Sequence, residues 1–306
     1  MPKISPAFSE IGRGFAAYLA PPSPDVIRFT VGQPDFDTPD PVVQSAVDAL
    51  RRGETAYTRS QGSVSLCDAV SAHLKMLNIA SNPDDVVITP GCKQAILYAL
   101  MTTLTPGDEV LLLAPAWPSY DGMIRIFGGV PVHVPVLRPS YHPDFEALES
   151  NVTERTKAIM LNSPNNPTGA VYTSEEIHRI AEFAQKHDLW IIDDMIYSTL
   201  VWEGHKYTSP INHPGGKDRT ITIGGWSKGW AMTGWRMGLD YWANRIYGGG
   251  QNLSNLSGDT HTDVPHAIRR SCSAIGRRNP SHGRGVCKSE DGHVQRNQWV
   301  TRRECT

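Results

Sequence analysis

"TITIGGWSKGWAMTGWRMG", residues 220–238, joins a run of alternating Thr and Ile to a lysine, Lys228, set among glycines and tryptophans, with Arg236 eight places further on. The Thr/Ile run ending in two glycines reads as a buried strand that stops at a tight turn. A lone lysine after a strand is usually a solvated charge, so its meaning depends on which other strands end beside it. Earlier in the chain, "VVIT" (86–89), "EVLLL" (109–113), "VPVHVPV" (130–136), "KAIMLN" (157–162) and "LWIIDD" (189–194) are further candidate strands. Helical patterns lie between them. "GCKQAILYALMTTL" repeats Leu97, Leu100, Met101 and Leu104 at helical spacing. "TSEEIHRIAEFAQKH" opens on a capping box, Thr173 with Glu176, and shows Ile177, Ile180, Ala181 and Ala184 as one apolar face. His178 and His187 are assigned to that helix's solvent face. Unbroken Val, Ile and Leu runs separated by helices predict an α/β fold, a mostly parallel sheet with helices on both faces. Ligands of such sheets bind at the carboxyl ends of the strands.

Composition narrows the choice of function. Hydrophobic residues make up 40%, charged residues 20%, and the formal net charge is -2, values ordinary for a globular protein that give no reason to expect nucleic acid or an anionic membrane as partner. The opening stretch "MPKISPAFSEIGRGFAAYLA" is too short and too interrupted in its apolar part for a leader or a membrane span, so a cytoplasmic location is expected. Five cysteines without CxxC pairing or grouping with histidine suggest free thiols and no metal site. Neither GxGxxG nor GxxxxGK[ST] is present, which removes the common dinucleotide and nucleoside triphosphate loops.

The strand ends carry a distinctive set of groups. Gly91, Cys92 and Lys93 follow "VVITP" at a helix start, where free amides favour a phosphate. Trp117 follows "EVLLLAP", Asn166 lies in the loop after "KAIMLN", Asp194 ends "LWIIDD", and Tyr197 stands three places on. Lys228 and Arg236 follow "TITIGG". Pyridoxal phosphate asks for all of these: an amine for its aldehyde, a carboxylate to keep its pyridine nitrogen protonated, donors for its phenolic oxygen, an aromatic plate and a phosphate cup. Each taken singly has a plainer reading. Trp117 alone would be packing, and Asp194 or Tyr197 alone could close a turn.

The segments "VGQPDFDTP", "PGCKQA", "PAWPSY", "NSPNNPTG", "DDMIY" and "SKGWAMTGWRMG" resemble, in order and spacing, the signatures of the class I/II (fold type I) aminotransferases over about residues 8–239. The resemblance implies a large domain built on a mostly parallel seven-stranded-type sheet. It implies that Lys228 forms the internal Schiff base with pyridoxal phosphate and shuttles the proton, with Asp194 at the pyridinium. Tyr197 and Asn166 would bond the ring oxygen. Arg236 and the amides of Cys92 and Lys93 would hold the phosphate, helped by Ser227, and Trp117 would stack on the ring. Tyr57, in "TAYTRSQG", resembles the tyrosine that reaches the neighbouring subunit's phosphate, so a homodimer with shared sites is implied. Gly32 resembles the glycine facing the substrate carboxylate, where Asn166 also contributes. The substrates implied are an amino acid and a 2-oxo acid.

After residue 239 the text changes. Residues 240–306 contain no Phe, no Met and two Leu, too little apolar surface to offset the entropy of ordering. The domain reading is therefore an arm with a small-domain portion at 1–40, a large cofactor-binding domain at 41–241, and an aberrant tail at 242–306. A shift of reading frame near residue 239 would leave such a tail in place of the small domain; a genuine basic disordered extension is the alternative. On the first view weak or absent transamination and poor solubility are expected. A pyridoxal-phosphate-dependent C–S β-lyase shares the same motifs and stays open, as does a non-functional product. A cofactor-binding regulator is disfavoured, because relatives of that kind carry a helix-turn-helix domain in front.

Overall fold

The structure, a computed structural model, describes residues 32–242. The expectations for the arm before residue 32 and for the tail after residue 242 lie outside the described residues. The chain runs through α1 (Asp40–Arg51), α2 (Val64–Met76), β1 (Val86–Thr89), α3 (Cys92–Thr103), β2 (Glu109–Ala114), α4 (Ser119–Ile126) and β3 (Val130–Pro135). It continues through α5 (Phe145–Asn151), β4 (Thr156–Asn162), α6 (Ser174–Lys186), β5 (Trp190–Asp194), β6 (Thr220–Gly225) and β7 (Gly238–Trp242). The seven strands form one sheet in the order β1-β7-β6-β5-β4-β2-β3. β7 runs antiparallel to both of its neighbours, and the other pairings are parallel.

The unbroken apolar strands follow from burial on two sides. Val110, Leu112, Ala158, Met160, Ile192, Ile221 and Ile223 pack on one face beneath α3 and α4. The alternate residues Leu111, Leu113, Ile159, Leu161 and Ile191 pack on the other face beneath α5 and α6. Towards the β1 edge that second face is closed by α1 and α2, through Val42, Leu66, Val70 and Leu74 against Ile88, Leu239 and Tyr241. Period-2 alternation therefore sends neighbouring residues of one strand into different cores. Its consequence is felt at the end of β5: Asp193 and Asp194 point to opposite faces.

α6 starts as expected. Thr173 accepts from the Glu176 amide and the Glu176 carboxylate returns to the Thr173 amide at 2.7 Å, a complete capping box. Four readings need correction. In α3 the buried residues are Ala95, Ile96, Tyr98, Ala99, Leu100 and Thr103, so Leu100 of the leucine stripe is buried while Met101 is exposed, because the face toward the sheet is centred on Ala95, Ile96 and Ala99. β3 is an edge strand in which Pro131 and Val134 are buried and Val130, His133 and Pro135 are exposed, so its run is not covered on both sides. His178 and His187 are half-buried: His178 packs on His213 with 5.4 Å between ring centroids, and His187 bonds Glu149 at 2.9 Å. β7, which begins in "GWRMG" and continues past the point where the pattern fades, was not foreseen as a strand; it is held between β1 and β6 by pairing on both sides.

Candidate active site

Parallel order places the carboxyl ends of β4, β5 and β6 side by side, in register from Asn162 to Asp194 to Ile223. Asp194 faces α3 and α4 and is almost fully buried. Its Oδ2 accepts from the Tyr120 hydroxyl at 2.7 Å, and its Oδ1 from the Ile196 amide at 3.2 Å. Burial pushes the Asp194 carboxyl up to about 6, against the pull of the Tyr120 and Ile196 donors. At neutral pH it remains an anion, ready to pair with a cation and able to hold a proton on a basic nitrogen.

Asn162 braces this end of the sheet. Its Nδ2 donates to the Asp194 carbonyl at 2.9 Å, and its Oδ1 accepts from the Asn166 amide at 2.8 Å, which fixes the loop after β4 beside β5. Asn166 Nδ2 in turn reaches the Tyr197 hydroxyl at 3.4 Å. Burial, then the nearby Asp194 charge, raises the Tyr197 phenol above its ordinary value, so it is a neutral donor. Asn166, Tyr197 and Asp194 thus form one connected group.

Lys228 joins them from the loop after β6. Its Nζ donates to the Gly32 carbonyl, and a Cβ built on Gly32 would lie 3.7 Å from that Nζ and 4.0 Å from the Tyr197 hydroxyl. Gly32, Lys228 and Tyr197 therefore enclose one small space. Burial lowers the Lys228 pKa, which raises the fraction of free amine and so its strength as nucleophile and base. Ser227 is half-buried beside it.

The anion cup is built from close backbone approach. Gly91 has φ 88° and caps α3, whose first residues are Cys92 and Lys93. A Cβ on Gly91 would collide with the Arg236 guanidinium, and a Cβ on Gly238 would come within 2.6 Å of the Cys92 amide nitrogen. Only glycine at both positions lets Arg236 and the helix start share this space. Arg236 itself sits in the left-handed region, φ 53°, with Nη1 on the Thr233 carbonyl at 2.9 Å and Nη2 near the Pro90 carbonyl at 3.4 Å. A helix N-terminus beside a guanidinium suits a phosphate. The Cys92 thiol is held by the Gly224 carbonyl at 2.8 Å and raised well above its ordinary pKa by burial and then by Asp194, so its role here is structural. Lys93 Nζ lies 5.3 Å from the centre of the Trp117 ring, and that ring meets Tyr120 edge-on at 5.3 Å.

The structure thus gathers Asp194, Tyr197, Asn166, Lys228, Gly32, Arg236, Cys92, Lys93 and Trp117 at one edge. Tyr57 is different: 84% exposed, it stands on the surface between α1 and α2. Two residues escaped the sequence reading, Tyr120 and Asn162. Both lie inside quoted motifs, "PAWPSY" and "NSPNNPTG", but only the fold shows that they touch Asp194.

The chain is similar to known proteins over most of its described length. The family model described as aminotransferase class I and II matches residues 24–254. The chain belongs to that family. The chain is 42% identical over 216 residues to a probable aspartate/prephenate aminotransferase of Thermus aquaticus, an alignment covering 70% of this chain and 56% of that protein. It is 43% identical over 217 residues to a probable aspartate/prephenate aminotransferase of Aquifex aeolicus, covering 70% of this chain and 55% of the relative. Among solved structures, the Thermus thermophilus aspartate aminotransferase with maleate superposes with a TM-score of 0.78 at 34% identity, covering 84% of this chain and 68% of that one. The chain spans about half the length of the curated relatives it matches.

Family members use pyridoxal phosphate, and the residues present fit it. The glycine-lined cup beside Arg236 would accept a phosphate, buried Asp194 would offer an anion to the pyridine nitrogen, and Lys228 would present an amine. No helix among the described residues is long and apolar enough to cross a membrane.

Proposed function

We propose that this chain carries the cofactor site of an aminotransferase that moves an amino group from an amino acid to a 2-oxo acid. The observation that supports it most is the meeting of Asp194, Tyr197, Asn166 and Gly32 around the Lys228 amine, with Arg236 and the start of α3 beside them. Pyridoxal phosphate, when bound, supplies the electron sink. The chain's own residues do the rest. Asp194 keeps a proton on the pyridine nitrogen by charge pairing. Tyr197 and Asn166 donate to the phenolic oxygen. Arg236 and the amides of Cys92 and Lys93 anchor the phosphate, with Ser227 at hand. Trp117 covers one ring face. Lys228, its Nζ placed by the hydrogen bond to the Gly32 carbonyl, would take the proton from the substrate α carbon and deliver it to the cofactor carbon that carries the amino group away. Gly32 and Asn166 face the substrate carboxylate.

The donor class is a short acidic amino acid, a reading supported by the relatives' names, in which aspartate recurs. Exposed Tyr57 reaches the phosphate of a second copy in a homodimer. A cytoplasmic setting suits the free thiols Cys67 and Cys92. The test is direct. Pyridoxal phosphate added to the purified chain produces a visible absorption band that Lys228→Ala lacks, and aspartate then bleaches it with release of a 2-oxo acid. Failure of the wild-type chain to develop the band, or an equal band in Lys228→Ala, would sink the proposal. Release of pyruvate and thiol from a sulfur amino acid without any acceptor would redirect it to a lyase.

A further inference from the structure

We propose that Tyr120 is a positioning residue for the cofactor, its hydroxyl clamping the carboxylate of Asp194 while its ring buttresses Trp117. The inference rests on the pyridoxal phosphate reading above. Tyr120 is 2% exposed and lies in the first turn of α4, and its amide bonds the Trp117 carbonyl at 3.1 Å. Plate and clamp are therefore neighbours on one rigid turn. The hydroxyl donates to Oδ2 at 2.7 Å, while the Ile196 amide holds Oδ1 at 3.2 Å. With a donor on each oxygen the carboxylate cannot rotate, and each oxygen keeps lone-pair capacity for a pyridinium. The Tyr120 ring also meets Trp117 edge-on at 89°, the favoured geometry for an aromatic pair. One side chain thus sets both the acid and the plate.

The groups around Asp194 decide how the idea is tested. Tyr120 comes from α4, Cys92 from the start of α3, Tyr197 from the turn after β5, and Asp193 and Tyr207 lie behind the strand. The two thiol and phenol neighbours and Tyr207 are all raised by burial and stay neutral near pH 7. Asp193, raised by burial to about 7, does titrate there, but it faces the opposite side of β5 and is common to every variant at Tyr120. A difference between variants therefore reports on Asp194.

The experiment measures the dissociation constant of pyridoxal phosphate from pH 5.5 to 8.5, by tryptophan quenching and by the visible band, for the full chain and for Tyr120→Phe, Tyr120→Gln and Asp194→Asn. Tyr120→Phe keeps the ring and loses only the donor. Its binding should weaken about tenfold near pH 6.5 and much less at pH 8.5, with the acid limb displaced upward by about one pH unit, since a hydrogen bond to an anion favours the ionised form. Tyr120→Gln, which retains a donor that does not titrate, should keep the limb nearer its wild-type position than Tyr120→Phe does, and it carries the test if the Phe variant does not fold. In the Asp194→Asn background Tyr120→Phe should leave the pH profile unmoved. An equal loss at every pH that merely tracks the melting temperature, or no loss in either variant, overturns the assignment while the cofactor reading stands. A wild-type chain that binds no pyridoxal phosphate at any pH overturns both.

Discussion

Arg236 occupies space that any side chain on Gly91 would claim, and Gly91 holds φ 88°, ψ 163°, a region essentially reserved for glycine. Gly91→Ala is accordingly expected to cost roughly 1–3 kcal/mol in backbone strain and to displace the guanidinium from the anion cup. Titration with pyridoxal phosphate should show affinity lowered by roughly tenfold or more; unchanged affinity would count against the cup. Asp240 presents the opposite case. It is fully buried in β7, and both carboxylate oxygens lack a hydrogen bond among the described residues. Burial pushes it to about 8; the Trp242 indole draws it back slightly but is itself without a hydrogen bond of proper geometry. Asp240→Val should therefore stabilise the chain at pH 8, by roughly 1–3 kcal/mol, with a smaller gain at pH 5 where the acid is already neutral. Urea midpoints at the two pH values check it, and a gain larger at pH 5 would show that the charge is not the cause.

Among the elements, α6 and the β4–β5 junction differ in what their sequences reveal. The α6 start was readable because a capping box is local: Thr173 and Glu176 are three residues apart and serve each other's backbone. The Glu176 carboxylate also meets His142 Nδ1 at 2.7 Å, a contact 34 residues away that no spacing rule supplies. Thr173→Ala should cost about 1 kcal/mol of stability, measured by denaturant unfolding. The Asn162 brace joins two strands and a loop through Asp194 and Asn166. Asn162→Ala leaves the buried Asp194 carbonyl without that donor and frees the Asn166 loop. Pyridoxal phosphate affinity should drop by roughly tenfold with the secondary structure intact; a circular dichroism spectrum that collapses instead would assign Asn162 to folding alone.

Three buried carboxylates give the molecule a shared pH response. Asp193, Asp194 and Asp240 are raised from 3.8 to about 7, about 6 and about 8, in each case chiefly by burial. Asp193 is partly relieved by the Tyr207 and Ser209 hydroxyls at 2.6 and 2.8 Å, yet its Oδ1 has no partner among the described residues. Between pH 4 and 8 the folded state therefore binds more protons than the unfolded chain, and stability falls as pH rises through that window. The cofactor-free protein should melt at a higher temperature at pH 5 than at pH 8. Bound pyridoxal phosphate should narrow the gap by stabilising the folded state where Asp194 is ionised. A cofactor-free protein more stable at pH 8 would contradict the burial of these acids.

Local chemistry determined much of this protein from its sequence. Strand and helix periods, glycine turns and the order of Lys228, Asp194, Asn166 and Arg236 at strand ends need only near neighbours to be read, and they led to the α/β fold and, with the family resemblance, to the contact set proposed for the cofactor. Tertiary structure alone decided the position of β7 between β1 and β6, the turn of α3 that buries Ala95 and Ala99 in place of Met101, and the opposite facing of Asp193 and Asp194. It alone brought Tyr120 to Asp194 across 74 residues and Gly32 to Lys228 across 196. Such contacts depend on how strands are ordered and helices are rotated in space. Hydrophobic period specifies which face of an element is buried, but the partner it meets there is set only when the whole sheet is assembled.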